Sequence, residues 1–197
     1  DFNAQVIAIE ENKAILDRTL FYPDGGGQLG DQGRLSNGST INVLDTHVEG
    51  EVILHLTDGE LPSGAVNGDV SWDRRKQLMD HHTSVHIIGG SARAVLGPHI
   101  WQAGSSKGER YARLDVTHYQ RLTRDVLDAI EDHANGIIEA NIDIEKSVHD
   151  RAEADSRYGF ELYQGGPPKH TSVRVIRIGE HDVQACAGRS TQLGAGK

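Results

Sequence analysis

His82 and His86 stand four residues apart in the run His81-His82-Thr83-Ser84-Val85-His86, the spacing that sets two imidazoles one turn apart on a single helix face. Rings so placed can converge on one metal ion, and imidazole together with thiolate is donor chemistry that suits zinc. A structural zinc site needs four protein ligands and a catalytic one three plus an open position, so two histidines are insufficient. The same spacing also serves a solvated or hydrogen-bonded histidine face. The single cysteine, Cys186, follows Asp182-Val183-Gln184-Ala185, a segment that reads as a strand ending at a turn. Without a second cysteine it cannot form an internal disulfide. A lone thiol is commonly a small apolar filler, and periodicity cannot join it to the histidines.

The helix that would carry the histidines is expected over Trp72–Leu96, with Val85, Ile88, Ala92, Val95 and Leu96 as its buried stripe. Leu78, His82 and His86 occupy a neighbouring face, and Gly97-Pro98 stops the helix. Before it, residues 5–9, 14–17, 41–45, 51–56 and 65–70 read as short strands. Glu11-Asn12-Lys13, a glycine-rich stretch, Asn37-Gly38 and Pro62-Ser63-Gly64 punctuate them. No helix is available there to cover strand edges, so closure into a small barrel is expected.

Beyond the helix, residues 101–107 read as a polar loop and 111–117 as a strand. A second helix starts from an N-cap at Thr123 and keeps Leu127, Ile130, Ala134, Ile137 and Asn141 on one face. A charged stretch over 150–158 precedes a short strand at 160–163. Gly165-Gly166-Pro167-Pro168 then turns the chain into a strand at 173–178 and the one bearing Cys186. The fold class is α+β, with a small glycine-rich β-barrel lobe over 1–70 and, over 71–197, a core of long helices against an antiparallel sheet.

The glycine-rich stretch, Phe21-Tyr22-Pro23-Asp24-Gly25-Gly26-Gly27-Gln28-Leu29-Gly30-Asp31, matches neither phosphate-binding fingerprint, because no lysine follows and the glycine spacing is wrong. Consecutive glycines make a tight turn, and they also let a bound group approach the main chain closely. The two roles can coincide.

Composition narrows the function. With 25% charged residues, one cysteine, no apolar run near the length of a membrane span and no leader, the chain is expected to be a cytoplasmic globular protein without a membrane partner. A net charge of −9 and 5% aromatic residues exclude wrapping a long nucleic acid, but not handling one nucleotide end. The chain opens on Asp1 rather than Met and stops soon after its last strand, so it is read as a segment of something longer.

Five segments, in order over nearly the whole chain, resemble the editing region of alanyl-tRNA synthetase and the related free-standing editing proteins. They are Tyr22-Pro23-Asp24-Gly25-Gly26-Gly27-Gln28, His82-Thr83-Ser84-Val85-His86, Arg113-Leu114-Asp115-Val116-Thr117-His118-Tyr119, Tyr158-Gly159-Phe160-Glu161-Leu162-Tyr163-Gln164-Gly165-Gly166 and Asp182-Val183-Gln184-Ala185-Cys186. The wording of the third and fourth is similar to the archaeal branch. The resemblance implies a hydrolase of the ester that joins serine or glycine to the 3′ end of the alanine tRNA. An activation pocket cannot exclude the smaller glycine and gains little against a serine hydroxyl, so a second site must sort them. It also implies a glycine-rich barrel beside an α+β editing core similar to that of threonyl-tRNA synthetase, with aminoacylation and C-terminal domains flanking both in the parent enzyme.

Residue by residue, the resemblance implies zinc ligands at His82, His86 and Cys186, with a histidine expected four residues after the cysteine in Cys-x-Gly-Thr-His. Here the chain reads Cys186-Ala187-Gly188-Arg189-Ser190. A substitution at Ser190, a short deletion before Arg189, or an unrelated tail after Gly188 would each explain this. The deletion is favoured, because Ser190-Thr191-Gln192-Leu193-Gly194 resembles, with a gap, the family's sequence just beyond that histidine. Gln102, sixteen residues past His86, falls where the family has an active-site glutamine. Gly26, Gly27 and Gln28 would contact substrate. Asp115 would orient a neighbour or accept the substrate amino group, or else pair with Arg113 or Lys107, and it ranks below Gln102. Thr83 would bind the serine hydroxyl or bond back to its own helix.

Two other readings remain. A metallopeptidase would need the glutamate of His-Glu-x-x-His, where Thr83 stands. A non-catalytic module that only docks a tRNA end would bind charged tRNA without deacylating it.

Overall fold

The computed structural model describes residues 1–60, 63–164, 166, 171–186 and 188. The turn positions Pro62, Gly165, Pro167 and Pro168, and Ser190 at the expected fourth-ligand position, lie outside them. The chain divides into two compact units, Asp1–Leu78 and Met79–Lys197.

The first unit contains β1 (Phe2–Glu10), β2 (Lys13–Leu16), β3 (Gly33–Asn37), β4 (Ser39–Glu49), β5 (Val52–Thr57) and β6 (Gly64–Val70). Antiparallel pairing in the order β1-β2-β5-β4-β3-β6 closes through β6 and β1 into a barrel. It has one strand more than patterning finds. β3 reads Gly-Arg-Leu-Ser-Asn, with one large apolar residue, the fully buried Leu35, so there is no alternation to count. Its main chain nevertheless pairs with β4, Gly33 opposite Val43, and with β6, Gly33 opposite Val70. Ala4, Ala14, Leu16, Leu35, Val43 and Val66 fill the interior with Phe21, which enters from the loop before β3.

That loop holds the glycine-rich stretch. Gly25 and Gln28 exchange main-chain hydrogen bonds of 3.0 Å across Gly26 (φ 58°) and Gly27 (φ 76°). Both central residues are left-handed, the two-residue turn that glycine makes without strain. Behind it, the buried Asp31 accepts from Tyr22 N at 2.6 Å and from Arg75 Nε at 2.7 and 2.8 Å, while Arg75 Nη2 donates to Leu20 O at 2.7 Å.

His55 on β5 is fully buried. Its Nδ1 lies 3.1 Å from Ala14 O and its Nε2 2.9 Å from Thr19 Oγ1, with Phe21 edge-on at 5.4 Å. A carbonyl can only accept, so Nδ1 carries the proton and Nε2 takes one from the threonine hydroxyl. Burial, outweighing the bond to Ala14, holds His55 below its usual 6.5. As pH falls below 6.5 the unfolded chain binds more protons here than the folded one. The barrel is therefore fully stable above that pH and loses stability below it. Amide exchange in β5 is expected to show an opening free energy that declines as pH drops from about 7 to about 5, and declines less in His55→Gln. Equal slopes would show that His55 is not the cause.

The long helix α1 (Trp72–Leu96) has the expected ends, with Asp73 in its first turn and Arg93 in its last complementing the dipole. It is followed by β7 (Gln102–Lys107), β8 (Ala112–Val116), α2 (Arg124–Glu139), β9 (Ile144–Asp150), α3 (Arg151–Tyr158), β10 (Ser172–Ile178) and β11 (Asp182–Ala185). β7 and β8 form a hairpin, and β11-β10-β9 a second antiparallel sheet.

The buried face of α1 differs from the expected stripe. Val85 and Ala92 are buried, but Ile88 and Val95 are 39% and 37% exposed. Ile87 packs instead with Ala134 of α2 and with Ile176 and Ile178 of β10, while Ala92 meets Ile100 and Ile130. A helix covered by both a sheet and another helix buries more than one stripe. On α2, Ile130 and Ala134 are buried as expected, whereas Leu127 is 44% exposed and Asn141 lies beyond the helix.

Of residues 101–107, Gln102–Lys107 form β7 rather than a loop, because pairing with β8 overrides a sequence poor in strand formers. The charged stretch becomes α3, capped by Asp150 accepting from Ala152 N at 2.9 Å. Residues 160–163 are not a strand, since Phe160–Leu162 is a 3₁₀ turn. No helix of the described residues is long and apolar enough to cross a membrane.

Candidate metal centre

α1 carries His82 and His86 on successive turns, and Cys186 stands one residue beyond the end of β11. Their ligand atoms all lie within 4.8 Å of one another. His82 Nε2 is 3.0 Å from Cys186 Sγ, and the imidazoles stack at 5.3 Å between centroids. Both histidines are buried. Neither ring nitrogen of His86 has a hydrogen-bond partner among the described residues. A buried imidazole in that state is costly unless some other group uses its lone pair.

The neighbours hold these groups in place. His86 Nδ1 lies 3.5 Å from Asp182 Oδ2, an ion-pair separation longer than a good hydrogen bond. Asp182 is tied by its other oxygen to Arg93 and to Gln184 Nε2 at 3.1 Å. Cys186 N donates to Arg174 O at 2.9 Å, and Arg174 Nη1 donates to the carbonyls of Cys186 (2.8 Å) and Gly188 (2.6 Å). At Gly188 a Cβ would overlap the His82 ring, so only glycine lets the main chain pass there. His81, by contrast, donates from Nδ1 to Gly108 O at 2.6 Å and is not one of the three.

Burial opposes charge at each group, and the outcome differs among them. For Cys186, burial pushes the thiol up, but the two imidazoles outweigh it and bring it down to about 5, so it is a thiolate at neutral pH. For His86, burial pushes down, and the Asp182 carboxylate with the Cys186 sulfur outweighs it, raising the imidazole to about 9. Burial dominates at His82, lowering it, and at Lys107, lowering it against the attraction of Cys186. At neutral pH the cluster is a half-buried thiolate, a neutral His82 and a protonated His86, and release of the His86 proton leaves one thiolate and two imidazoles. Such a donor set fits zinc, with a fourth position for water, substrate or a further ligand.

The other expected site residues fall in different places. Gln102 lines a narrow crevice against Val85 and Gly89 of α1, with Leu114, Val116 and Gln184. Its main-chain N lies 3.4 Å from Gln164 Oε1, and its Nε2 3.3 Å from Ser105 Oγ. Thr83 is fully buried and its hydroxyl donates to Met79 O at 3.0 Å, the helix-bonded alternative. Asp115 alternates with Leu114 and Val116 and so points away from the crevice, pairing with Arg113 at 3.2 Å. Lys107, its other expected partner, instead bonds Ser105 Oγ at 2.6 Å. Gly26 and Gly27 form the left-handed turn of the first unit, and the Gln28 side chain is buried there.

Sequence reasoning missed Asp182, Arg93, Arg174 and Gly188. Asp182 opens the segment that ends in the only cysteine, and its place in that segment is the signal that could have found it. A hollow of ≈360 Å³ opens beside this group, lined by Arg93, Tyr158, Leu162, Gln164, His181 and Asp182 among others.

The family model described as "tRNA synthetases class II (A)" matches residues 1–74. Over its full length the chain is 44% identical to an alanine–tRNA ligase of Halorubrum lacusprofundi, covering 100% of this chain and 22% of that protein. It is 46% identical to that of Hyperthermus butylicus, over 95% of this chain and 21% of the relative. The corresponding figures for Methanothermobacter thermautotrophicus are 45%, 95% and 21%. The chain thus spans about a fifth of the length of the curated relatives it matches.

Proposed function

We propose that this chain, which belongs to the alanyl-tRNA synthetase family, is its proofreading part and hydrolyses the ester bonds of seryl- and glycyl-tRNA(Ala). The observation that carries this reading is the convergence of Cys186 on the buried His82 and His86 of the helix that also borders Gln102. We assign the hydrolysis to residues 71–197, with the tRNA 3′ end and the flanking domains of a longer synthetase as partners.

His82, His86 and Cys186 would hold zinc, which supplies Lewis acidity toward an ester carbonyl, a water or an amino group. The remaining steps fall to the chain's own groups. An aminoacyl ester is already reactive, so holding it and one water in line suffices without a covalent nucleophile. The Gln102 amide can both donate and accept, which suits it to fixing that water or the amino group. A Thr83 hydroxyl that donates to Met79 O can meet a serine hydroxyl only as an acceptor. Asp182, held by Arg93, keeps the His86 ring in orientation. Asp115, which pairs with Arg113, would orient a neighbour or accept the substrate amino group and ranks below Gln102, and Gly26, Gly27 and Gln28 would contact substrate from their turn.

The test is side-by-side deacylation of seryl-, glycyl- and alanyl-tRNA(Ala) by the chain. Serine and glycine should be released faster than the spontaneous rate and alanine spared. Binding of charged tRNA with no acceleration for any of the three would support a docking module instead.

A further inference from the structure

Aromatic residues are only 5% of the chain, yet three of them meet at one surface of the second unit. Trp101 and Phe160 lie 5.6 Å apart at 41°, and Phe160 meets Tyr163 edge-on at 6.4 Å. The Arg151 guanidinium sits over the Tyr163 ring at 5.8 Å. Tyr163 is buried and its hydroxyl donates to Asp155, which anchors the group from below, while Phe160 at its top is 70% exposed. Between them is a hollow of ≈210 Å³ lined by Arg151, Asp155, Phe160 and Tyr163. An exposed phenylalanine beside a tryptophan, with a cation at the margin, is costly to leave in water. It is also the composition on which a nucleobase stacks.

This surface adjoins the proposed site along the chain. Trp101 directly precedes Gln102, and Tyr163 directly precedes Gln164, whose Oε1 lies 3.4 Å from Gln102 N. Gln164 and Leu162 also line the hollow beside Asp182. The 3₁₀ turn Phe160–Leu162 thus exposes its aromatic residue at the surface while its last residue lines the hollow beside Asp182.

We propose that Trp101, Phe160, Tyr163 and Arg151 form a stacking platform for one unpaired base at the 3′ end of the RNA, deepening the proposed proofreading function, on which the identity of the RNA rests. One platform fits the chain's net charge of −9, which disfavours an extended RNA contact but permits capture of a single base beside one arginine.

The test separates the platform from the hydrolysis. The trinucleotide CCA is titrated into the chain carrying Trp72→Phe, so that Trp101 is the sole tryptophan, alongside the same RNA with an abasic 3′ ribose. Saturable quenching by CCA is expected, weakened about tenfold by the abasic end and about tenfold by Phe160→Ala, with Phe160→Tyr restoring it. In seryl-tRNA deacylation Phe160→Ala should raise KM by a similar factor and leave kcat unchanged. No quenching, or equal affinity for CCA and its abasic form, would overturn the platform. So would a concentration-dependent self-association removed by Phe160→Ala, which would make the patch a protein contact. Quenching with no deacylation by the parent chain would overturn the proposed function and leave the platform standing.

Discussion

Replacing His82 with alanine is expected to lower seryl-tRNA(Ala) deacylation by more than about a hundredfold and to abolish zinc retention. Two donors, His86 and Cys186, remain, and two cannot hold zinc against solvent at micromolar concentrations as three can. The variant also removes the ring 3.0 Å from the thiolate. Asp182→Asn should be milder. It keeps all three ligands but weakens the charge that faces His86 Nδ1, so metal affinity should fall by about 10- to 100-fold while the fold persists. Rates and bound zinc, measured on the same preparations, should fall together. Retention of the parent rate by His82→Ala would place the chemistry elsewhere.

Arg75→Met is expected to cost the first unit about 3–5 kcal/mol. The buried Asp31 carboxylate would lose its guanidinium and keep the Tyr22 N–H, and an uncompensated buried charge is far more costly than an absent pair. Against a total stability of about 5–15 kcal/mol the loss is large. Adding Asp31→Leu should recover part of it, because the charge disappears with its partner. Denaturant unfolding followed in the barrel measures both. A single-variant cost below about 1 kcal/mol would contradict the reading of this pair as a strong anchor of the glycine-rich loop.

The elements that patterning finds are those whose period is written locally. α1 contains no proline, concentrates its apolar residues in its second half and is stopped by Gly97-Pro98, so its ends are legible. Its buried face is not, because the sheet and α2 recruit Ile87 while Ile88 and Val95 stay exposed. β3 and β7 carry little strand signal and form because their neighbours offer unpaired main chain. The same limit applies to the site. His82 and His86 declare themselves by spacing, whereas Cys186 joins them across about a hundred residues only when β11 docks near α1. Arg93 and Arg174 carry no motif, and Asp182 lies in one without a role attached; its pairing with Arg93 arises from packing between segments far apart in sequence. Asp115 sits in a clear motif, and the two-residue strand period sets it beside Arg113 rather than with Leu114 and Val116 at the crevice.

The most direct test of the central claim is to strip the chain of metal with a chelator and titrate zinc back while following serine release from seryl-tRNA(Ala). If His82, His86 and Cys186 hold zinc at the site of hydrolysis, the stripped chain should be nearly inactive and the rate should saturate at one zinc per chain. Full activity in the stripped chain would contradict it, and would leave the cluster as a thiolate–imidazole network of the fold rather than the centre of the reaction.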